Sequence, residues 1–145
     1  MGLHILIVDD EPLARARLRT LLGDYTHTEL GPAITRITDA GHAGEALELL
    51  QHTAVDVVLL DIHMPGMDGI ALTEKIKSDP SLLHKPMVVL VTAFGREEIR
   101  QRAEQTPVDG FMLKPINQSM LVDTLVKLFA TDIQHETQAY QQTEQ

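Results

Sequence analysis

The sequence predicts an α/β protein built on one doubly wound parallel sheet of five strands. Short apolar runs alternate with segments whose apolar residues recur at helical spacing, and this alternation is typical of β-α-β units. The two central runs, Val55–Leu60 and Met87–Ala93, are almost unbroken in their apolar character, as parallel strands are when helices cover both faces. A chain of 145 residues can bury one full core, so we expect a single domain.

The first two strand-helix pairs lie in the N-terminal part of the chain. His4–Val8 is an apolar run that predicts a buried strand, and Pro12–Asp24 follows as a helix, with proline in the first turn and Gly23 suited to its end. Ala33–Thr38 alternates between apolar and polar residues as a strand does, and Ala43–His52 has the apolar spacing of a second helix. The residues expected on the buried faces of these helices are Ala14, Leu18, Leu21, Leu22, Ala46, Leu47 and Leu50.

The rest of the chain continues the alternation and then loses it. Three further strands are predicted at Val55–Leu60, Met87–Ala93 and Asp109–Leu113, and three further helices at Gly69–Ser78, Arg96–Gln105 and Asn117–Ala130. Asp68 and Asn117 have side chains suited to cap the helices that they begin. From Thr131 onward the sequence is polar and rich in glutamine. We therefore expect a domain at residues 1–130 and a polar tail or linker at 131–145.

Composition narrows the class of protein. The formal net charge of −9 argues against a domain whose main task is to bind nucleic acid phosphates, because that task requires basic patches. The absence of cysteine excludes disulfides and thiolate metal sites. No apolar run approaches the ~18 residues of a membrane-spanning helix, and the N-terminus lacks the pattern of a signal peptide. We therefore expect a cytoplasmic protein.

Polar side chains stand at the carboxyl ends of four predicted strands. They are Asp9, Asp10 and Glu11 at the first strand, Asp61 at the third, Thr92 at the fourth and Lys114 at the fifth. Ligands of such sheets bind outside the carboxyl ends of the strands, so we expect these side chains to converge on one small surface. Clustered carboxylates repel one another and raise one another's pKa values, and a divalent cation such as Mg²⁺ relieves that repulsion.

This combination of groups suits phosphoryl transfer. A carboxylate can act as the nucleophile and become an aspartyl phosphate, while a metal ion, an ammonium group and a hydroxyl hold the charge of the phosphoryl oxygens. An acid at the tip of a buried strand is costly to desolvate unless something positive meets it. We interpret Asp61 as the reacting group, with Lys114 as the ammonium and Thr92 as the hydroxyl.

Four motifs together resemble a known family. In chain order they are "VDDE", "LLDIHMPGMDG", "VTA" and "KP", and at these spacings they resemble the receiver domain of two-component response regulators over Leu3–Ala130. The resemblance implies a flavodoxin-like (βα)5 fold with strand order 2-1-3-4-5. The first half resembles receivers attached to DNA-binding output domains, and the second half resembles receivers of hybrid histidine kinases.

The resemblance implies a role for each residue of these motifs. Asp61 is the implied phosphoacceptor. A metal ion, Mg²⁺ or Mn²⁺, is implied to bind Asp10 directly, Asp9 mainly through a water molecule, Asp61, and the backbone carbonyl of His63. The implied phosphoryl-binding residues are Thr92, Ala93 and Lys114. The peptide bond before Pro115 is implied to be cis.

The resemblance also implies partners and a switch. The expected phosphoryl donor is a histidine kinase or a histidine phosphotransfer domain, with Leu13 and Arg17, which lie off the core stripe of the first helix, as docking contacts. Thr92 and Phe111 are the expected switch residues. They would alter one face of the domain, which also offers a surface for a homodimer. This face is formed by helix 4, strand 5 and helix 5, which are the predicted elements Arg96–Gln105, Asp109–Leu113 and Asn117–Ala130. Apart from its own phosphoryl transfer and slow autodephosphorylation we expect no enzymatic activity, and no direct contact with nucleic acid or membrane.

Structural interpretations stay open for several of these residues. Asp9, Asp10 and Glu11 also suit the N-terminus of a helix, where acids are favoured. Lys114 could be an ordinary exposed lysine. Phe111 could be an ordinary core residue. The convergence of acids, threonine and lysine in one chain favours the functional interpretation over each of these.

Two other functions compete with phosphoryl acceptance. One is a pseudo-receiver, a protein-binding module of the same fold that never takes phosphate. Such modules usually lose an acid, the threonine or the lysine, and none is missing here. The other is a phosphatase of the aspartate-nucleophile type, whose chemistry needs an acid two residues after the nucleophile. That position is His63, so the phosphatase motif does not fit.

Overall fold

The computed structural model describes residues 2–25, 34–64, 66–82, 84–92, 101 and 108–129. Its elements alternate along the chain as β1 (Leu3–Val8), α1 (Pro12–Tyr25), β2 (Ile34–Ala40), α2 (Ala43–His52), β3 (Val57–Asp61), α3 (Gly69–Ser78), β4 (Met87–Thr92), β5 (Gly110–Leu113) and a C-terminal helix at 118–129. The predicted helix Arg96–Gln105 lies outside the described residues except for Gln101, which is helical. No helix among the described residues is long and apolar enough to cross a bilayer.

The five strands form one sheet in the order β2-β1-β3-β4-β5. All four neighbouring pairs are parallel. The central strands β1 and β3 are buried along their whole length, as expected for strands covered on both faces. The sheet confirms the predicted α/β class and the strand order that the resemblance implied.

Successive residues of the central strands face opposite sides of the sheet, and this alternation produces two cores. Leu6 and Val8 belong to the core that α2 and α3 cover. Ile5 and Ile7 belong to the core that α1 and the C-terminal helix cover. The helix residues that fill these cores are Ala46, Leu50, Ile70, Leu72 and Ile76 on the first side and Leu18, Leu22, Leu121 and Leu125 on the second. Helices on both faces make the sheet doubly wound.

The ends of two strands differ from the prediction. β2 continues to Ala40, beyond its predicted end, because Val8 of β1 pairs with it. Asp61 is the last residue of β3 rather than the first residue after it, and it pairs with Val91 of β4. The position predicted to react is therefore held by the hydrogen-bond ladder of the sheet and not by a loop.

Gly23 lies inside α1, so the prediction that it ends this helix is wrong. The helix continues to Tyr25. Glycine is a poor helix former, but the neighbouring Leu22 is fully buried. Packing of the apolar face against the sheet therefore extends the helix past a residue that disfavours it.

Side-chain caps begin three of the helices. Asp68 accepts a hydrogen bond from the N–H of Ala71 (2.8 Å), which confirms it as the cap of α3. Asn117 accepts one from the N–H of Met120 (2.8 Å), which confirms the predicted cap of the C-terminal helix. α2 begins differently, because the ring Nδ1 of His42 accepts the N–H of the third helical residue at 3.2 Å.

Candidate functional site

Three carboxylates meet at the carboxyl ends of β1 and β3, which are neighbours in the sheet. Oxygen atoms of Asp9, Asp10 and Asp61 all lie within 4.8 Å of one another. Asp9 is 1% exposed and Asp61 is 7% exposed, whereas Asp10 is open to solvent. The structure thus brings together the acids that the sequence placed at two separate strand ends. Glu11 is exposed, and its own N–H donates to Asp9 Oδ1 (2.9 Å).

The ammonium group of Lys114 lies next to this cluster of carboxylates. Its Nζ lies 3.4 Å from Asp9 Oδ2 and 3.7 Å from Asp61 Oδ1. Its backbone N–H donates to the carbonyl of Thr92 (2.7 Å), so the end of β5 is tied to the end of β4. Buried charges are tolerated where an opposite charge and hydrogen bonds meet them, and Lys114 supplies the charge here.

Burial is the largest cause of the raised pKa of Asp61. The pKa of the Asp61 carboxyl is raised to about 6, first by burial and second by the negative charge of Asp9. The Lys114 ammonium and a hydrogen bond from the backbone of His63 oppose both effects and lower the pKa. The expected like-charge repulsion is therefore present, but it ranks second to the loss of solvent.

Of the other predicted site residues, Thr92 and His63 lie at the same edge of the sheet as this centre. Thr92 is fully buried at the end of β4. The side chain of His63 is exposed. Ala93 lies outside the described residues. The peptide bond between Lys114 and Pro115 is cis.

Phe111 lies on the edge strand β5 with 37% of its surface exposed, which does not fit an ordinary core residue. It pairs with Leu90 of β4. Thr92 is two residues further along β4, so the two predicted switch residues lie on adjacent strands. An exposed aromatic ring on this strand is available to move or to be covered.

Leu13 and Arg17 flank a groove that runs from α1 to the cis-proline loop. The groove has a volume of about 430 Å³ and is lined by Glu11, Leu13, Ala14, Arg17, Leu18, Lys114, Pro115 and Ile116. Leu13 is 85% exposed. Arg17 is also exposed, but its Nη2 donates to the carbonyl of Ile116 (3.0 Å). The groove therefore extends from α1 to Lys114, a residue of the acidic site.

Gly69 is a site residue whose steric role the sequence did not reveal. A Cβ atom at this position would lie 2.5 Å from the carbonyl oxygen of Asp61 and 2.8 Å from the Cα of Ile62. Only glycine lets the start of α3 approach the end of β3 this closely. The signal was present in the sequence as a glycine directly after the Asp68 cap.

The donor set fits a hard divalent cation. Mg²⁺ and Mn²⁺ take carboxylate and carbonyl oxygens as ligands, and the acids here offer only oxygen atoms. Three carboxylates face the single ammonium group of Lys114 among the described residues of the cluster, so negative charge is in excess. A cation bound there would balance that excess.

Comparison with known proteins places the chain in a family. The model of the response regulator receiver domain matches residues 5–126. The chemotaxis protein CheY-3 of Vibrio cholerae is 36% identical over 128 residues, covering 88% of this chain and 92% of that protein. The cyclic di-GMP phosphodiesterase response regulator RpfG of Xanthomonas campestris is 38% identical over 116 residues, covering 80% of this chain.

Solved structures show the same architecture. The response regulatory domain of MrkE from Klebsiella pneumoniae superposes with a TM-score of 0.72 at 30% identity, covering 91% of this chain and 99% of that one. A CheY-like receiver domain from Methanospirillum hungatei JF-1 superposes with a TM-score of 0.74 at 24% identity, covering 92% of this chain and 99% of that one.

Several curated relatives are much longer than the region they share with this chain. The chain spans 29% of RpfG, 46% of the positive alginate biosynthesis regulatory protein of Pseudomonas aeruginosa and 48% of the transcriptional regulatory protein BtsR of Escherichia coli. The shared region is the receiver, and the family model covers most of this chain. The chain therefore belongs to the response regulator receiver domain family, the signalling domains of two-component systems.

Proposed function

We propose that this domain accepts a phosphoryl group from a phosphohistidine onto Asp61 in a Mg²⁺-dependent reaction. The observation that carries the proposal is the environment of Asp61, a buried carboxylate beside two further acids and 3.7 Å from the Lys114 ammonium. Because its pKa is raised to about 6, the carboxylate is mostly ionised at neutral pH yet more basic than an ordinary aspartate. Both properties favour nucleophilic attack.

In the reaction, an Asp61 oxygen forms a bond to phosphorus as the P–N bond of the donor histidine breaks. The bonding electron pair goes to the imidazole nitrogen. The resulting acyl phosphate carries its charge on the oxygens of the phosphoryl group. Lys114 offsets part of this charge, and Thr92 and Ala93 are proposed to hold the remaining oxygens. Slow hydrolysis of the acyl phosphate returns Asp61 to its starting form.

Asp9, Asp10, Asp61 and the carbonyl of His63 would hold the metal ion. Mg²⁺ supplies positive charge to the phosphoryl oxygens when it is bound. Each carboxylate oxygen of Asp9 already has a protein contact, one with the Glu11 N–H and the other with the Lys114 ammonium. These contacts support a role for Asp9 through water and a more direct role for the exposed Asp10.

The groove beside Lys114 supports a histidine kinase or a histidine phosphotransfer domain as the donor. Its exposed Leu13 and its neighbour Arg17 would contact a helix that carries the phosphohistidine. Leu13 is 85% exposed and lines this groove, so a partner helix that covered it would bury apolar surface.

Phosphorylation is proposed to act on the face that contains β5. Phe111 and Thr92 would change rotamer together. The altered face of the predicted helix Arg96–Gln105, β5 and the C-terminal helix would then bind an output partner or a second copy of the chain. The exposed position of Phe111 supports this role. We also propose residues 1–130 as the domain and 131–145 as a tail or linker, which the family match at 5–126 supports.

Labelling with a small phosphodonor tests the proposal. Acetyl phosphate with Mg²⁺ should add one phosphoryl group by intact mass, and a chelator should prevent the addition. Asp61→Asn should abolish labelling, whereas Asp123→Asn, a change to an exposed acid on the C-terminal helix, should not. An unlabelled wild-type protein, or a labelled Asp61→Asn variant, would contradict the proposal. The unlabelled result would favour a protein-binding pseudo-receiver.

A further inference from the structure

Arg15 of α1 contacts the backbone of the acidic site, at Asp9. Its Nη1 donates to the backbone carbonyl of Asp9 at 2.6 Å. Its Nε lies 3.5 Å from Oδ2 of Asp39. The Arg15 side chain is only 20% exposed, so these contacts are largely shielded from water. The phosphoryl chemistry proposed above assigns no task to this arginine.

Asp39 is a rigid partner for the guanidinium group. It lies in β2, paired with Ile7 of β1, so the sheet fixes its backbone. A second arginine holds its other oxygen, because Arg19 Nη2 lies 3.3 Å from Asp39 Oδ1. The Nη1 of Arg19 also donates to the carbonyl of Ile37 at 3.2 Å. Asp39 therefore points Arg15 in one direction.

The Asp9 carbonyl belongs to the peptide that joins Asp9 to Asp10. A hydrogen bond that fixes this carbonyl fixes the plane of the peptide, and with it the position of the Asp10 Cα from which the side chain extends. The N–H of Asp9 is held separately by the carbonyl of Ala40 at 3.2 Å. Arg15 thus adds a restraint on the N-terminal side of the exposed Asp10.

We propose that Arg15 is a positioning residue for the metal site. By holding the Asp9–Asp10 peptide against β2, it keeps both acids in the arrangement that binds a divalent cation. The inference rests on the proposed function, because it takes these acids as the Mg²⁺ ligands. Groups that orient metal ligands from outside the coordination shell commonly change metal affinity by about 10- to 100-fold.

Mg²⁺ titration of the full chain tests the inference directly. Isothermal titration calorimetry should show the Kd for Mg²⁺ rising by about tenfold in Arg15→Gln. In labelling with acetyl phosphate, the half-saturating Mg²⁺ concentration should rise by the same factor. The labelling rate at saturating Mg²⁺ should stay within about twofold of the wild type, since Arg15 touches no reacting atom.

Two variants separate positioning from general effects. Arg19→Gln removes an arginine from the same helix and the same Asp39, but that side chain does not contact the Asp9 peptide. It should leave the Kd for Mg²⁺ within about twofold, because the pairing of Asp39 with Ile7 still fixes the backbone of Asp39 and the contact of Arg15 with Asp39 remains. Arg15→Lys keeps the charge but loses the planar fork that spans two partners, so it should still weaken Mg²⁺ binding.

A wild-type Kd in a folded Arg15→Gln variant would overturn the inference, as would equal losses in Arg15→Gln and Arg19→Gln or full affinity in Arg15→Lys. If Arg15→Gln fails to fold, Asp39→Asn provides the second measurement and should also raise the Kd. Wild-type protein that binds no Mg²⁺ would instead refute the proposed function. Wild-type binding with no effect at Arg15 would refute only the positioning role.

Discussion

At the scale of single residues, the burial of Asp61 affects both the proposed chemistry and the stability of the fold. A buried carboxyl resists ionisation because it has left water, and here the charge of Asp9 adds to that resistance. The positive charge of Lys114 lowers the pKa of Asp61 but offsets only part of this increase. The environment that makes the Asp61 carboxylate more basic therefore also destabilises the metal-free protein at neutral pH.

Asp61→Asn should stabilise the metal-free protein at pH 8 and not at pH 3.5. The pKa of Asp61 is raised from 3.8 to about 6 by folding. The stability associated with this group is therefore fully present below pH 3.8 and lost as pH rises through about 6. Asparagine cannot ionise, so the variant should gain roughly 1–3 kcal/mol at pH 8. Urea unfolding in the presence of a chelator measures the gain, and an equal gain at both pH values would contradict this account.

Gly69→Ala should destabilise the protein by about 1–3 kcal/mol and reduce labelling of Asp61. The new Cβ would meet backbone atoms of Asp61 and Ile62, which cannot rotate away as a side chain could. Gly23→Ala is the matched control, since a Cβ there meets nothing within 4 Å. That change should stabilise α1 by roughly 0.5–1 kcal/mol. Thermal unfolding distinguishes the two, and a neutral Gly69→Ala would show that α3 moves freely against β3.

At the scale of elements, His4 of β1 contacts β2 and the segment that precedes β3, at the end of the sheet opposite to the site. The backbone N–H of His4 donates to Asp56 Oδ2 at 2.8 Å. Its ring contacts the carbonyl of Ala54 at 3.1 Å through Nδ1 and the hydroxyl of Thr38 at 2.7 Å through Nε2. A carbonyl only accepts, so Nδ1 donates and, in the neutral ring, Nε2 accepts from Thr38. Burial lowers the pKa of His4 below 6.5.

Wild-type protein should lose stability relative to His4→Gln as pH falls from 7.5 towards 5. Below pH 6.5 the unfolded state takes up a proton that the folded state resists, so this contribution to stability falls with pH. This pH dependence of stability has the opposite sign to that caused by Asp61, which both proteins contain. The stability of His4→Gln must therefore be compared with that of the wild type at each pH. A titration of the His4 ring by NMR should give a pKa below 6.5, and a pKa above it would contradict the prediction.

Leu13→Asp should slow phosphoryl transfer from a phosphohistidine donor by roughly fivefold or more. Leu13 is 85% exposed on α1 and lines the groove that ends at Lys114, so an acid there disturbs docking and not the reacting atoms. Labelling by acetyl phosphate, which needs no docking, should change little. Equal slowing of both reactions would place the damage in the site.

At the scale of the whole molecule, the proposed switch links the centre of the sheet to its edge. Beryllofluoride, a mimic of the phosphoryl group, should move Thr92 inward and bring Phe111 from its exposed position towards the space vacated beneath β4. NMR of the protein with and without beryllofluoride should show shifts at β4 and β5 as well as at Asp61. Unchanged rotamers of Thr92 and Phe111 would contradict the switch even if Asp61 is phosphorylated.

Much of the fold follows from local pattern. The bounds of α2 and α3 were predicted to the residue, because apolar spacing and terminal residues define an amphipathic helix within a few turns. The caps Asp68 and Asn117 were predicted for the same reason. Gly23 was misjudged because local propensity favours a helix end there, whereas burial of Leu22 against the sheet continues the helix.

The sequence by itself determined that acids, a threonine and a lysine stand at the ends of parallel strands, which is enough to predict a site and its chemistry. Only the tertiary structure decided how these groups meet. Lys114 reaches Asp9 across 105 positions of sequence, and Arg17 reaches Ile116 across 99. The contact of Arg15 with the Asp9 carbonyl and the close approach of Gly69 to Asp61 likewise depend on how each helix packs on the sheet. Periodicity encodes which face of an element is buried, but the distances between elements arise only when both cores are packed.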